Sequence, residues 1–131
     1  MRFRAALLVL ALGAAPAFAA NCPDQTQTGL NACANDAFKR ADDQLNQDYK
    51  EITRRLSGDK AKASLLVQSQ KSWIAWRDAE CEFASSAVVG GSVYPMIHAM
   101  CLEAQTRQRD AALQSYLKCP EGDLACPVPA K

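Results

Sequence analysis

Few side chains in this 131-residue chain are suited to chemistry. Cysteines stand at 22, 33, 81, 101, 119 and 126, and the single histidine is His98. A thiolate can attack, an imidazole can act as a base, and the two together can hold a metal. The spacing favours none of these. Zinc sites are built from Cys-x-x-Cys or paired Cys and His, and neither occurs, so no metal ligands are expected. An even number of cysteines in a short exported chain reads instead as a disulfide framework, and an oxidised cysteine is no nucleophile. His98 has no marked serine partner and no Gly-x-Ser-x-Gly is present, so it reads as a structural histidine. Asp78, Glu80, Glu82 and Glu103 supply carboxylates of the kind that cleave glycosides in pairs, but a small helical bundle has little room for the cleft such a pair needs. With no phosphate loop and no basic patch interleaved with aromatics, the sequence predicts no catalytic group, no cofactor and no nucleic-acid partner.

The export reading rests on the first twenty residues. Arg2 and Arg4 precede an apolar stretch from Ala5 to Ala15, which closes on Pro16-Ala17-Phe18-Ala19-Ala20. A basic start, a short apolar run and a small-x-small site describe a cleavable signal peptide over residues 1–20. The run is barely long enough to span a bilayer, and Pro16 breaks its end. Asn21 before Cys22 is not the small residue that lipidation requires, so no membrane anchor is expected and the product is read as soluble, in the periplasm or secreted. Cleavage removes two basic residues and no acidic one, taking 15 Lys+Arg against 14 Asp+Glu to 13 against 14. Net charge goes from +1 to −1, too little to steer the chain to nucleic acid or a membrane surface. The remaining stretch of about 111 residues is one domain's worth. It divides into a helical domain, residues 21–118, and a short cysteine-containing tail, residues 119–131.

Three helices must position these side chains. Leu30, Cys33, Ala37, Ala41, Leu45, Tyr49, Ile52 and Leu56 recur at steps of three and four, a sustained helical stripe starting near Thr28. Ser57-Gly58 ends it, with glycine suited to a left-handed C-terminal cap. Asp59 caps the second helix, whose stripe is Leu66, Ser69, Trp73, Trp76, Glu80 and Phe83, widened by Leu65 and Ile74. Both tryptophans are expected to anchor the core. That helix runs out at Val88-Val89-Gly90-Gly91. Ser92 is the expected cap of the third, which carries Pro95 in its first turn and continues to about Leu117. No strand pattern is present. The fold class is all-α, a three-helix up-down-up bundle stapled by disulfides.

In that arrangement Cys22, Cys33, Cys81 and Cys101 lie near one pole. Six cysteines permit 15 pairings. The preferred set is Cys22–Cys33, Cys81–Cys101 and Cys119–Cys126, with Cys33–Cys81 open as an alternative. Arg77 is placed toward the same pole, and Arg109 faces Glu80 as a structural ion pair across the second and third helices. The turn itself, with Val88, Val89, Gly90, Gly91, Val93 and Tyr94, is the candidate partner-binding surface. Apolar residues on a braced turn suit insertion into a groove, although they equally suit closing the bundle end.

Several of these residues together resemble a known family. Leu30-Asn31-x-Cys33, Ala41-Asp42-x-x-Leu45-Asn46-x-x-Tyr49 and Gln70-x-x-Trp73-x-x-Trp76-Arg77-Asp78-x-x-Cys81 are similar to the LprI-type lysozyme-inhibitor family of bacterial envelope proteins. Gly90-Gly91-Ser92-x-x-Pro95 and Cys101-x-x-x-x-Thr106-x-x-Arg109 continue the match in the same order. The resemblance implies a periplasmic or surface helical domain. For some members it implies a protein partner, an animal-type lysozyme whose cleft is blocked. The alternative is a non-catalytic envelope module with an endogenous protein partner. Oligomeric state is left open by the sequence.

Overall fold

The computed structural model describes residues 21–130, so the signal peptide expected over residues 1–20 lies outside the described residues. The chain forms α1 (Gln27–Arg55), α2 (Lys60–Ala84), a single 3-10 turn (Ser86–Val88) and α3 (Tyr94–Leu117). Among the described residues there is no strand.

Helix α1 starts one residue earlier than its apolar stripe suggests, because Thr26 caps it. The Thr26 hydroxyl accepts the Gly29 N–H at 3.1 Å, satisfying one of the donors a helix start leaves open. Thr26→Ala is expected to lower stability by about 1 kcal/mol, read as a fall in the thermal midpoint. An unchanged midpoint would mean that Asp24, whose carboxylate already takes the Thr26 N–H at 2.8 Å, carries the cap instead.

Of the other expected caps, Asp59 stands at the start of α2, while Gly58 and Ser92 are corrected. Gly58 does not take the left-handed conformation, which glycine adopts only at Gly90 and Gly122 among the described residues. Helix α1 ends on Leu56, and the Asp59 N–H donates to the Leu56 carbonyl at 2.8 Å. The turn is too short for a separate glycine cap, because Asp59 must already cap α2 through Lys62 N–H at 3.0 Å. Ser92 does not cap α3. Val93 occupies that place without a side-chain bond, and the Ser92 carbonyl instead accepts from Asn31 Nδ2 at 3.1 Å. Helix α2 stops at Ala84, short of the valine pair, because the chain tightens into the 3-10 turn.

Contacts at both ends set the helix directions. Asn31 near the start of α1 reaches Ser92 just before α3, and Arg55 at the end of α1 donates to the Leu117 carbonyl at the end of α3, at 3.1 Å. Helices α1 and α3 therefore run the same way. Helix α2 runs the opposite way on the outside of this pair, packed mainly on α3, its end tied by Cys81 to Cys101 near the start of α3.

The packing is uneven along this axis. Near the glycine turn the α1–α3 seam is made of Ala34, Ala37, Ala41 and Ala99, all buried. Small side chains there let the two helices approach closely. Toward the other end the core becomes bulky, with Leu45, Ile52, Leu56, Leu113 and, from the tail, Val128. The tail closes its own loop through Cys119–Cys126 and then inserts Val128 into that cluster.

Helix α2 is peripheral. It buries only Gln70 and Cys81, while Leu66 and Trp73 lean partly onto the core. Trp76 is 51% exposed, against the expectation of a second core tryptophan. Three residues advance a helix by about 300°, so Trp76 sits roughly 60° round from Trp73. On a helix that touches its neighbours along a narrow strip, that rotation is enough to put one ring inside and the other out.

A polar seam crosses the interface of α1 and α3. Asp110 is buried; its Oδ2 accepts from Gln114 at 3.1 Å and its Oδ1 has no donor. Asp48 lies against it from α1. Burial first, and the Asp48 carboxyl second, push Asp110 up to about 6. Two carboxyls in contact can hydrogen-bond only if one keeps its proton, so the pair shares a proton at mildly acid pH.

Candidate functional site

The glycine turn is built as a rigid cap on the bundle. Val88 N–H donates to Ser85 O at 3.1 Å, Gly91 to Val88 O at 3.0 Å, and Tyr94 to Gly91 O at 3.1 Å. Gly90 has φ +82°, where a side chain is strained, and a Cβ on Gly91 would meet the Val88 carbonyl at 3.1 Å. Cys81–Cys101 spans the turn with Cα atoms 5.5 Å apart, and Cys22–Cys33 pins the chain before α1 with Cα atoms 5.9 Å apart. The preferred pairing stands in full, and Cys33–Cys81 does not form.

Beneath the turn, Tyr94 stacks on His98 with ring centroids 5.4 Å apart. His98 has a serine partner that sequence reasoning missed, because it lies across the turn: Ser85 Oγ is 3.2 Å from His98 Nδ1. The pair is not arranged for acyl transfer. Ser85 is 1% exposed, and its hydroxyl donates to the Cys81 carbonyl at 2.6 Å. With that proton committed, the fitting tautomer has Nδ1–H donating to Oγ, the reverse of a base activating a nucleophile. Among the described residues no three His, Cys, Asp or Glu side chains gather as metal ligands.

The expected ion pair is corrected. Arg109 does not reach Glu80; its Nε donates to Gln70 Oε1 and its Nη2 to Ser69 Oγ, each at 3.0 Å. Arg109 lies a little over two helical turns of α3 beyond Cys101, and antiparallel packing sets it against the middle of α2 rather than its end. Arg77 does not point to the pole either. Its guanidinium lies over Trp73 and Phe38, 5.0 and 5.4 Å from the ring centroids. It bonds Asp78 at 2.8 Å, approaches Asp42 of α1 at 3.6 Å, and donates to buried Thr106 of α3 at 3.4 Å. One arginine thus clamps all three helices at mid-height.

Of the expected contact residues, Val88, Val93 and Tyr94 are half-buried and close the bundle end. Val89 is 68% exposed, and Gly90 and Gly91 are exposed beside it. The turn alone offers one free apolar side chain. The larger apolar surface lies on α2, where Phe83 is 77% exposed and Trp76 is half out. Seven residues separate the two, so they share a face two turns apart, about 10 Å along the axis. Glu80 stands between them on the same face, four residues after Trp76 and three before Phe83. No ion pair engages Glu80 among the described residues, since Arg109 is occupied elsewhere. Helix α2 thus presents two aromatic rings and a carboxylate on a backbone that a disulfide fixes at one end. Exposed aromatics on a braced helix can bury against a partner with little ordering cost.

Residues 19–113 match the family described as Lysozyme inhibitor LprI. The chain belongs to the LprI family. A relative in Rhizobium meliloti (strain 1021), described only as an uncharacterized protein, is 33% identical over 107 residues, covering 73% of this chain and 77% of its own. No solved structure matches the LprI chain. The match ends within α3, so the disulfide-closed tail that completes this LprI core lies beyond the matched residues.

Proposed function

We propose that this LprI protein acts in the periplasm or outside the cell, binds a lysozyme and blocks its cleft. Trp76, Phe83 and Val89 would provide the apolar contact. Glu80 would sit where a basic enzyme can meet it. The observation that carries the reading is the exposed aromatic face of α2 beside a disulfide-braced turn, in a chain whose family is named for lysozyme inhibition. Three disulfides suit an oxidising compartment, which supports export. With a charge near −1 after cleavage, long-range steering is weak, so affinity would come from burying the rings.

The test is inhibition of lysozyme by the oxidised protein, as wild type and as the Trp76→Ala/Phe83→Ala pair. Removing two aromatic anchors is expected to weaken inhibition at least tenfold while circular dichroism and melting stay close to wild type. Wild type in molar excess without effect on turnover removes the inhibitor reading for that enzyme. Undiminished inhibition by the double variant removes α2 as the contact face.

A further inference from the structure

At the end of the bundle away from the glycine turn, the tail crosses beside α2 and leaves a groove of about 180 Å³. Buried Ile52 and Leu56 form its floor, and Leu65, Leu66, Tyr116 and Val128 its walls. Leu65 stands on the lip, 64% exposed. A lone exposed leucine requires no explanation, but this one continues an apolar concavity. Arg109 lines the same groove. Its partners are Gln70 and Ser69, with the Trp73 ring 5.9 Å away. All three are neutral. Among the described residues no carboxylate lies within ion-pair distance of it. A guanidinium has five N–H donors, and two are engaged here, so a half-buried positive charge faces the groove with donors to spare. Lys62 adds a second cation at the rim, held to Asp59 at 3.4 Å in a solvent-exposed pair.

We propose that this groove binds a single-chain amphipathic carboxylate, with the hydrocarbon against Leu65 and Leu66 and the carboxylate on Arg109. The charge is complementary, and a carboxylate matches the arginine fork with two parallel hydrogen bonds. Taking roughly 30 Å³ for each methylene-sized group, the share of volume a water has in the liquid, the groove holds about six such groups. A medium-length chain fits with its head on Arg109, about six of its carbons in the groove and the remaining few along exposed Leu65 at the lip. The groove lies at the opposite end of the bundle from Phe83 and Val89, so the proposal stands or falls independently of lysozyme binding.

The experiment titrates the oxidised mature chain with decanoate below its micelle concentration, followed by calorimetry and tryptophan fluorescence. Saturable one-to-one binding is expected, with decanol at least tenfold weaker. Arg109→Gln is expected to lose at least tenfold in affinity and Arg109→Lys to keep most of it. Should Arg109→Gln unfold, Leu65→Asp carries the test. That side chain is largely exposed, so the variant folds, yet it sets a repelling charge on the lip and also loses at least tenfold. Pelleting with anionic phospholipid vesicles separates the sources of the ligand. Vesicle binding that both variants lose, with no decanoate binding, would place a lipid phosphate on Arg109 and overturn the carboxylate. Decanoate binding without vesicle binding assigns it to a free acid. The proposal is overturned if decanoate does not saturate, if decanol binds equally well, or if both variants bind decanoate like wild type.

Discussion

Replacing Cys81 and Cys101 together by alanine lowers the unfolding free energy by about 3 kcal/mol, the largest loss expected from removing any one of the three cross-links. The bond closes a sequence separation of 20, against 11 for Cys22–Cys33 and 7 for Cys119–Cys126. A longer loop restrains the unfolded chain more, and the chain-entropy relation gives roughly 3 kcal/mol at this length. The folded state suffers as well. Cys81 is fully buried on a helix that buries only one other residue, so without the bond α2 is held mainly by Leu66, Trp73 and the Arg77 clamp. For a domain of this size the thermal midpoint falls by about 10–20 °C. Alanine is the right replacement at Cys81, because serine would bury a hydroxyl. Urea melts of wild type and variant check the result. A midpoint within a degree or two of wild type would show that packing alone holds α2 in place. The same variant should also lose lysozyme inhibition if the α2 face is the contact, since the rings would no longer be fixed.

The second large effect is one of pH. Asp110 titrates near 6 in the folded protein and near the ordinary 3.8 once unfolded. Below about pH 4 both states hold the proton and the full stabilisation of the protonated pair is present. As pH rises from about 4 to about 6, the unfolded chain gives up its proton while the folded chain keeps it, so folding becomes less favourable. Above about 6 Asp110 is charged in the folded and the unfolded chain alike, and the contribution is gone. At about 1.4 kcal/mol per pH unit, and allowing for water near the helix edge, the loss is on the order of 2 kcal/mol. Glu51, Asp24 and Asp59 have lowered values and act in the opposite direction. Their contribution is lost as pH falls, and Glu51, held by Arg54 and Arg55, reaches about 2, so the window from 4 to 6 belongs mainly to Asp110. Asp110→Asn removes the charge and supplies an N–H toward Asp48. Its melting midpoint is expected to stay level across that window and to exceed wild type at pH 7.5. Asp48→Asn should do the same, because the proton belongs to the pair. Wild type and both variants declining in parallel would rule out the shared proton.

Much of this structure is legible in the residues. The α1 stripe from Ala37 to Leu56 recurs at helical steps of three and four, and its members land in or against the core. Helix order brings Cys22, Cys33, Cys81 and Cys101 to one pole, but the packing of the helices selects Cys81–Cys101 over Cys33–Cys81. The family motifs sit on the same elements. What the residues alone misplace depends on how far each helix is rotated about its axis. Trp73 and Trp76 look equivalent in a list of apolar positions and differ only by that rotation. Glu80 and Arg109 are complementary in charge yet lie at different heights. Ser85 with His98, and Asp48 with Asp110, carry no local signal because each pair is made of residues from different elements.

Sequence by itself determined the class, the three helices, the oxidised cysteines and the family, because periodicity, turn residues and cysteine order are local properties that survive any rearrangement of the helices. Only the tertiary structure decided which aromatic rings face solvent, where Arg77 and Arg109 point, and which two carboxyls share a proton. Those outcomes depend on contact between side chains, and a contact is fixed by the rotation and height of two helices together, which neither helix encodes alone.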